Sequence, residues 1–330
     1  MYDDYEDEFQ KKPKLSAKKA QKKGLLKPVL TPNASGLMPI GLIASVYGGA
    51  ASVLLDGKTH EATAPVSLLT QLTVGDRVSL DPTTTPIRIL SIEPRRTELA
   101  RTKGEGGSRH HKQKLVIAAN IDVAIIVATA TNPAFEPELV DRYLILCRAA
   151  NIEPIICLNK VDLTAERHPA LDWYRSQNIP VIETSPKINQ GIAELQAAIR
   201  SKIGILLGKS GAGKSSLINI LTPGANVETK EVSGHAQQGQ HTTTRSNIHI
   251  WAPDSYIIDT PGIRTLDVEH VDDDDITLGF PDILGLSHNC HFSNCQHNKE
   301  PGCAVQEALI QKILPTWRWE SYRDISEKIG

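Results

Sequence analysis

The chain lacks an excess of charge of either sign. Its 36 lysines and arginines face 38 aspartates and glutamates among 330 residues, a formal net charge of −2. Bulk charge therefore gives no argument for a nucleic-acid partner. It also lacks any apolar run near the roughly 20 residues that span a bilayer as a helix, so no membrane partner is expected. The first residues, among them Asp3, Asp4, Glu6, Asp7 and Glu8, lack the basic start and apolar core of a secretory signal. A cytoplasmic location is the expectation. Cysteine is scarce, with five in all, and Cys290, Cys295 and Cys303 cluster late in the chain. That usage suits a metal site better than a disulfide framework.

A chain of this length holds two or three domains, each able to bury its own core. Residues 1–36 are charged and poor in large apolar side chains, and Lys11, Lys12, Lys14, Lys18, Lys19, Lys22, Lys23 and Lys27 crowd one stretch. They read as a basic mobile tail, either a solvated arm or an attractor of phosphate backbones through counterion release. Residues 37–94 change to short β-type runs, with Asp56-Gly57 as a strong hairpin turn. Short, evenly spaced strands predict a small barrel of the OB type, with an SH3-like barrel as the alternative. Residues 95–114, rich in Gly, Arg, Lys and His, read as a linker. Over 115–265 strands alternate with helical segments, which predicts a mostly parallel sheet covered on both faces. The strands are Ile121–Thr129, Pro154–Leu158, Ile179–Glu183, Ile203–Leu207, Ile248–Ile250 and Tyr256–Ile258. Residues 266–330 read as helical apart from the cysteine cluster.

The chemistry begins at Gly208-Lys209-Ser210-Gly211-Ala212-Gly213-Lys214-Ser215-Ser216, between a strand and a helix. Such a phosphate loop lets backbone N–H groups converge on phosphate oxygens at a helix N-terminus. Lys214 is expected to reach the β- and γ-phosphates and Ser215 to ligate Mg2+. The loop does not choose the base; Asn159-Lys160-Val161-Asp162 can. A carboxylate at Asp162 accepts from guanine N1–H and the 2-amino group together, whereas adenine offers neither donor. Sites of this kind discriminate by roughly 10⁴ or more. Lys160 would lay its stem along the base, and Asn159 would tie the two loops together. Glu183-Thr184-Ser185 fits the supporting loop whose backbone touches the guanine oxygen.

Asp259-Thr260-Pro261-Gly262 ends another strand; Asp259 would hold Mg2+ through water and the Gly262 N–H would sense the γ-phosphate. The next residue is Ile263, not the glutamine that orients attacking water in Ras-like GTPases. Slow intrinsic hydrolysis follows, with the missing group supplied from elsewhere. Gly239-Gln240-His241-Thr242-Thr243-Thr244 lies where the first switch belongs. Thr243 is the expected Mg2+ ligand, and His241 stands ready to position or polarise water. The order of these motifs is unusual: the base-reading element comes before the phosphate loop. The halves of a GTPase domain are exchanged in sequence.

Cys290-x4-Cys295-x-His297-x5-Cys303 offers three thiolates and an imidazole, the set for one closed, structural Zn2+. His288 and His291 compete for the fourth position.

Taken in order, Asn159-to-Asp162, Gly208-to-Ser216, Gly239-to-Thr244, Asp259-to-Gly262 and the cysteine cluster resemble one family. It is the circularly permuted, ribosome small-subunit-dependent GTPases called RsgA, YjeQ or YloQ. Ile117-Ala118-Ala119-Asn120-Ile121-Asp122 and Glu300-Pro301-Gly302-Cys303 also look like it, and the match covers roughly residues 37–330. The resemblance implies a multidomain chain: an OB-type barrel, a circularly permuted α/β P-loop GTPase domain and a mainly helical zinc domain. It implies a monomer that binds GTP and GDP and hydrolyses GTP with Mg2+. Hydrolysis would be stimulated by the 30S subunit, with 16S rRNA as partner, late in that subunit's maturation. The family's proposed catalytic histidine falls on His241, and its zinc ligands on Cys290, Cys295, His297 and Cys303. Potassium-dependent GTPases usually carry asparagine where this loop has Gly211, so no potassium requirement is expected. The alternative is an RNA-binding assembly scaffold that uses nucleotide for stability without turnover.

Overall fold

A computed structural model describes residues 38–103, 113–224, 227, 246–259 and 273–329. The Lys-rich tail, His241, Thr243 and Gly262 lie outside the described residues.

The chain opens with β1 (Ile40–Tyr47), β2 (Ala50–Leu55) and β3 (Lys58–Thr63), a one-turn helix α1 (Val66–Leu69), then β4 (Arg77–Asp81) and β5 (Ile87–Ile92). These strands close into a barrel in the order β1-β2-β3-β5-β4. β3 and β5 pair in parallel and the other neighbours are antiparallel. Alternation along each strand sends Ile43, Ala51, Val53, Ala62, Val78, Leu80 and Ile89 inside. This is an OB-type barrel, and the SH3-like alternative falls away.

β6 (Glu98–Lys103) and β7 (Gln113–Ala119) form a two-stranded ladder. β6 therefore corrects the reading of 95–114 as a linker. Leu99 and Ala100 are buried there, and β7 satisfies the strand's backbone. This ladder also fastens the barrel. Asp76, fully buried, accepts from Arg95 Nε (2.7 Å) and Nη2 (3.0 Å) and from the Thr73 N–H (2.8 Å). Buried Asn120, at φ +55°, donates to Gly75 O (2.9 Å) and accepts from the Arg96 N–H (2.9 Å). A Cβ on Gly75 would meet Ala119 O at 2.1 Å, so this crossing needs glycine.

The main sheet contains β8 (Val123–Thr129), β9 (Glu153–Asn159), β10 (Val181–Thr184), β11 (Ile203–Leu207), β12 (Asn247–Ala252) and β13 (Ser255–Asp259). Their spatial order is β10-β9-β8-β11-β13-β12, parallel except for the β12–β13 pair. β8 and β11 read as continuous apolar runs because helices cover both faces. Those helices are α2 (Pro137–Ala149), α3 (Ala170–Ser176), α4 (Ile192–Ile199) and α5 (Lys214–Leu221). The order makes the exchange physical. β11, which leads into the phosphate loop, lies centrally, while β8, β9 and β10 on one side of it all precede it in the chain.

Among the described residues four helices follow: α6 (Asp273–Gly279), α7 (Pro281–Ser287), α8 (Ala304–Ile310) and α9 (Thr316–Ile329). Ile276, Phe280, Ile283, Val305, Ala308, Leu314 and Ile325 share one core with Leu144 and Ile145 of α2. Inside it, Arg318 is paired with Asp141 and with both oxygens of Asp282 (2.8 and 3.0 Å), and its guanidinium lies 4.0 Å over the Phe280 ring.

Candidate nucleotide and metal sites

The phosphate loop turns from β11 into α5 on glycines in the left-handed region, Gly211 at φ +80° and Gly213 at φ +93°. Gly213 has a second constraint: a Cβ there would stand 2.2 Å from Asn159 Nδ2. Asn159, almost fully buried at the end of β9, donates through Nδ2 to Ala212 O (2.9 Å) and accepts from Thr184 Oγ1 (3.2 Å). One amide thus joins the base-reading loop, the phosphate loop and the supporting loop. Lys214 Nζ donates to Gly208 O (2.6 Å) and Lys209 O (2.7 Å), which holds its ammonium inside the loop. Lys209, Ser210 and Gly211 are exposed, whereas Ser215 and Ser216 at the start of α5 are half-buried.

At the base-reading loop, Lys160 takes a left-handed conformation, φ +63°, and Nζ donates to Asn132 O (2.6 Å). Val161 is buried against Leu158 and Leu171 and anchors the turn. The Asp162 carboxylate accepts from Ser185 Oγ (2.7 Å), with Lys187 Nζ 4.0 Å from its other oxygen. Glu183 points elsewhere: its carboxylate pairs with Arg167 (2.7 Å) and Arg175 (3.0 Å). Thr184 and Ser185 are buried. Asp259 ends β13 half-buried. Burial raises its carboxyl above the usual range, opposed by the nearby charges of His249 and Lys214. Donors, loops and carboxylates converge on one nucleotide-sized site, in which Ser215 and Asp259 could hold a Mg2+.

One contributor was missed in the sequence, the 130–136 loop after β8. Asn132 O holds Lys160, and the Glu136 carboxylate pairs with Lys209. A signal existed: in open α/β sheets, loops at the carboxyl ends of strands line the ligand crevice, and this one follows a buried strand.

The cysteine cluster assembles as the spacing suggested. Cys290, Cys295, His297 and Cys303 bring their ligand atoms within 4.8 Å of one another. His297 Nδ1 lies 3.5 Å from Cys290 Sγ and 3.5 Å from Cys303 Sγ, and those two sulfurs are 4.0 Å apart. A tetrahedral Zn2+ needs ligand atoms roughly 3.5–3.8 Å apart, so the donor set fits. His288 and His291 stand outside the group. Burial lowers the His297 pKa, against the pull of Glu300, which favours the neutral, ligating imidazole. Cys303 also accepts from the Gln306 N–H at the start of α8 (3.5 Å), tying the cluster to that helix. Among the described residues, no helix is long and apolar enough to cross a membrane.

Comparison with known proteins agrees with this geometry. Residues 92–269 match the family model described as RsgA GTPase. The small ribosomal subunit biogenesis GTPase RsgA of Pseudomonas putida is 35% identical over 296 residues, covering 87% of this chain and 84% of its own. Its namesake in Pectobacterium carotovorum is 34% identical over 303 residues, covering 88% and 84%. Among solved structures, YjeQ from Thermotoga maritima superposes with a TM-score of 0.69 at 26% identity, covering 89% of this chain and 99% of that one. YloQ, described as a circularly permuted GTPase, gives 0.67 at 27%, covering 91% and 98%. With the exchanged strand order and the assembled nucleotide loops, these matches mean that the chain belongs to the RsgA GTPase family and is a GTP hydrolase working with Mg2+.

Proposed function

We propose that the chain binds the 30S ribosomal subunit and assists its late maturation, with GTP hydrolysis stimulated by the subunit and coupled to release. The relatives carry the name small ribosomal subunit biogenesis GTPase. The observation that carries the reading is Asn159 bonded to Ala212 O, which joins the base-reading and phosphate loops into one site despite their reversed order. The barrel and the helical zinc domain supply two further surfaces for 16S rRNA.

In this reading the backbone N–H groups of Gly208–Ser216 cradle the phosphates and Lys214 neutralises the β- and γ-oxygens. Ser185 orients the Asp162 carboxylate toward the guanine N1–H and 2-amino group. Lys160 covers the base, and the backbone of Glu183, Thr184 and Ser185 borders its oxygen. Ser215, Thr243 and Asp259 would hold Mg2+, which would supply charge neutralisation at the phosphates. Gly262 senses the γ-phosphate. His241 orients the attacking water in place of the glutamine absent at Ile263. One Zn2+ held by Cys290, Cys295, His297 and Cys303 would be structural, because protein would fill all four positions.

The test is hydrolysis of GTP and of ATP, with and without purified small and large subunits. Stimulation of GTP turnover by the small subunit alone is expected. Binding without added turnover would favour the RNA-binding scaffold, and equal use of ATP would remove the role given to Asp162. His241→Ala should cut stimulated turnover far more than GDP affinity; unchanged turnover sinks its role.

A further inference from the structure

Helix α2 is engaged on two opposite faces. Residues three or four apart share a helix face, which groups Glu136, Val140 and Tyr143 on one side and Asp141, Ile145 and Arg148 on the other. The first side meets the phosphate loop. Glu136, at the N-cap, pairs with Lys209, and buried Tyr143 lines a small cavity together with Lys209 and Ala212 of the loop. The second side meets the C-terminal helices. Asp141, fully buried, accepts from Ser321 Oγ (2.6 Å) and Tyr174 Oη (2.7 Å) and pairs with Arg318. Arg148 Nη1 donates to Leu278 O (2.7 Å). Ile145 is crossed so closely by α6 that a Cβ on Gly279 would stand 2.2 Å from Ile145 Cγ1.

We propose that α2 is the element through which the docked C-terminal domain sets the phosphate loop, with Asp141 and Tyr143 as its positioning residues. The physical case rests on how each side is held. An unpaired buried charge is strongly penalised, so the Asp141–Arg318 contact resists sliding of α2 past α9. Close packing at Gly279 removes the remaining slack. Packed helices answer such constraints by moving as units, with shifts of about 1–2 Å. A change of that size at Gly208 and Lys209 bears directly on phosphate-binding N–H groups. The route uses side-chain contacts alone and does not need the covalent path from Asp259 toward α6. It rests on nucleotide binding and not on the identity of the ribosomal partner.

The test uses the full chain and an N-methylanthraniloyl derivative of GDP, with affinity and dissociation rate measured well below the melting temperature. Ser321→Ala removes one hydroxyl from Asp141 and keeps Arg318; Tyr143→Phe removes the hydroxyl of the side chain that lines the cavity beside the loop. Each should weaken GDP binding by about threefold or more, within the usual range of coupling between sites, and Ser321→Thr should restore it. The double variant should resemble the weaker single variant, because both act on one element. Glu136→Gln, half-exposed and outside the core, serves as the loop-side partner if Tyr143→Phe does not fold. The proposal is overturned if Ser321→Ala lowers the melting temperature yet leaves GDP affinity unchanged. It is equally overturned if the effects of the two substitutions simply multiply.

Discussion

Gly213 carries two requirements at one atom. Its φ of +93° already disfavours any side chain, and the first carbon of one would press on Asn159 Nδ2 at 2.2 Å. Asn159 cannot retreat without losing Ala212 O and Thr184 Oγ1 while remaining buried. Gly213→Ala should therefore damage nucleotide binding through both loops, weakening GTP and GDP alike by at least about tenfold, since strained backbone and a lost buried hydrogen bond each cost on the order of 1–3 kcal/mol. Equilibrium dialysis against both nucleotides checks this. Asp162→Asn has a different signature. The amide presents a donor where guanine also presents donors, so affinity for GTP should fall by roughly a hundredfold or more. ATP affinity should hardly change, and the melting temperature of the nucleotide-free chain should stay within a few degrees. A uniform loss for both nucleotides would mean that Asp162 acts on the fold and not on the base.

Elements divide by how local their causes are. β11 occupies Ile203–Leu207 as its apolar run suggested, and α4 occupies Ile192–Ile199, because one segment alone carries each pattern. β3 was harder to read: Lys-Thr-His-Glu-Ala-Thr buries only Ala62, and its place comes from pairing with β2 and β5. β6 hid behind the basic composition of its neighbourhood for the same reason. The nucleotide loops were legible because phosphate and base chemistry demand particular residues at particular spacings. The Asp141–Arg318 contact was not, since 177 residues separate its members and neither belongs to a motif. The Cys290–Cys303 cluster lies between these cases: its members are local, but the elements it joins are not. Cys290 follows α7, and Cys303 caps α8, so the cluster clamps two helices that share the core with α2. Removing the metal with a strong chelator should melt α7 and α8 first, because a structural Zn2+ site contributes folding energy directly. Tryptophan fluorescence should follow, as Trp319 sits 6.3 Å from the His297 ring. Unchanged fluorescence and unchanged GDP affinity after complete metal removal would contradict the clamp.

At the scale of the whole molecule, the exchanged order changes what the barrel is attached to. Because the GTPase sheet begins with β8, the chain passes from the barrel through β6 and β7 to the middle of the sheet, while β1 of the barrel also touches the edge strand β12. That entry is fastened by buried polar groups. Asp76 is fully buried, Arg95 is its charged partner, and Asn120 holds Gly75 from the other side. Such a junction favours cooperative unfolding of barrel and sheet. Arg95→Ala leaves the Asp76 carboxylate buried without its partner, at a cost of about 3 kcal/mol, the low end for such pairs because Arg95 retains some exposure. The loss should fall on the barrel side. All four tryptophans, Trp173, Trp251, Trp317 and Trp319, lie beyond the barrel, so their fluorescence reports the sheet and the C-terminal helices. Hydrogen exchange in increasing urea would follow β1–β5 separately. In the parent chain both probes should change together. In Arg95→Ala the barrel peptides should lose protection at lower urea while the tryptophan transition moves little. If both transitions shift by the same amount, the two parts still unfold as one unit and the junction does not depend on this ion pair.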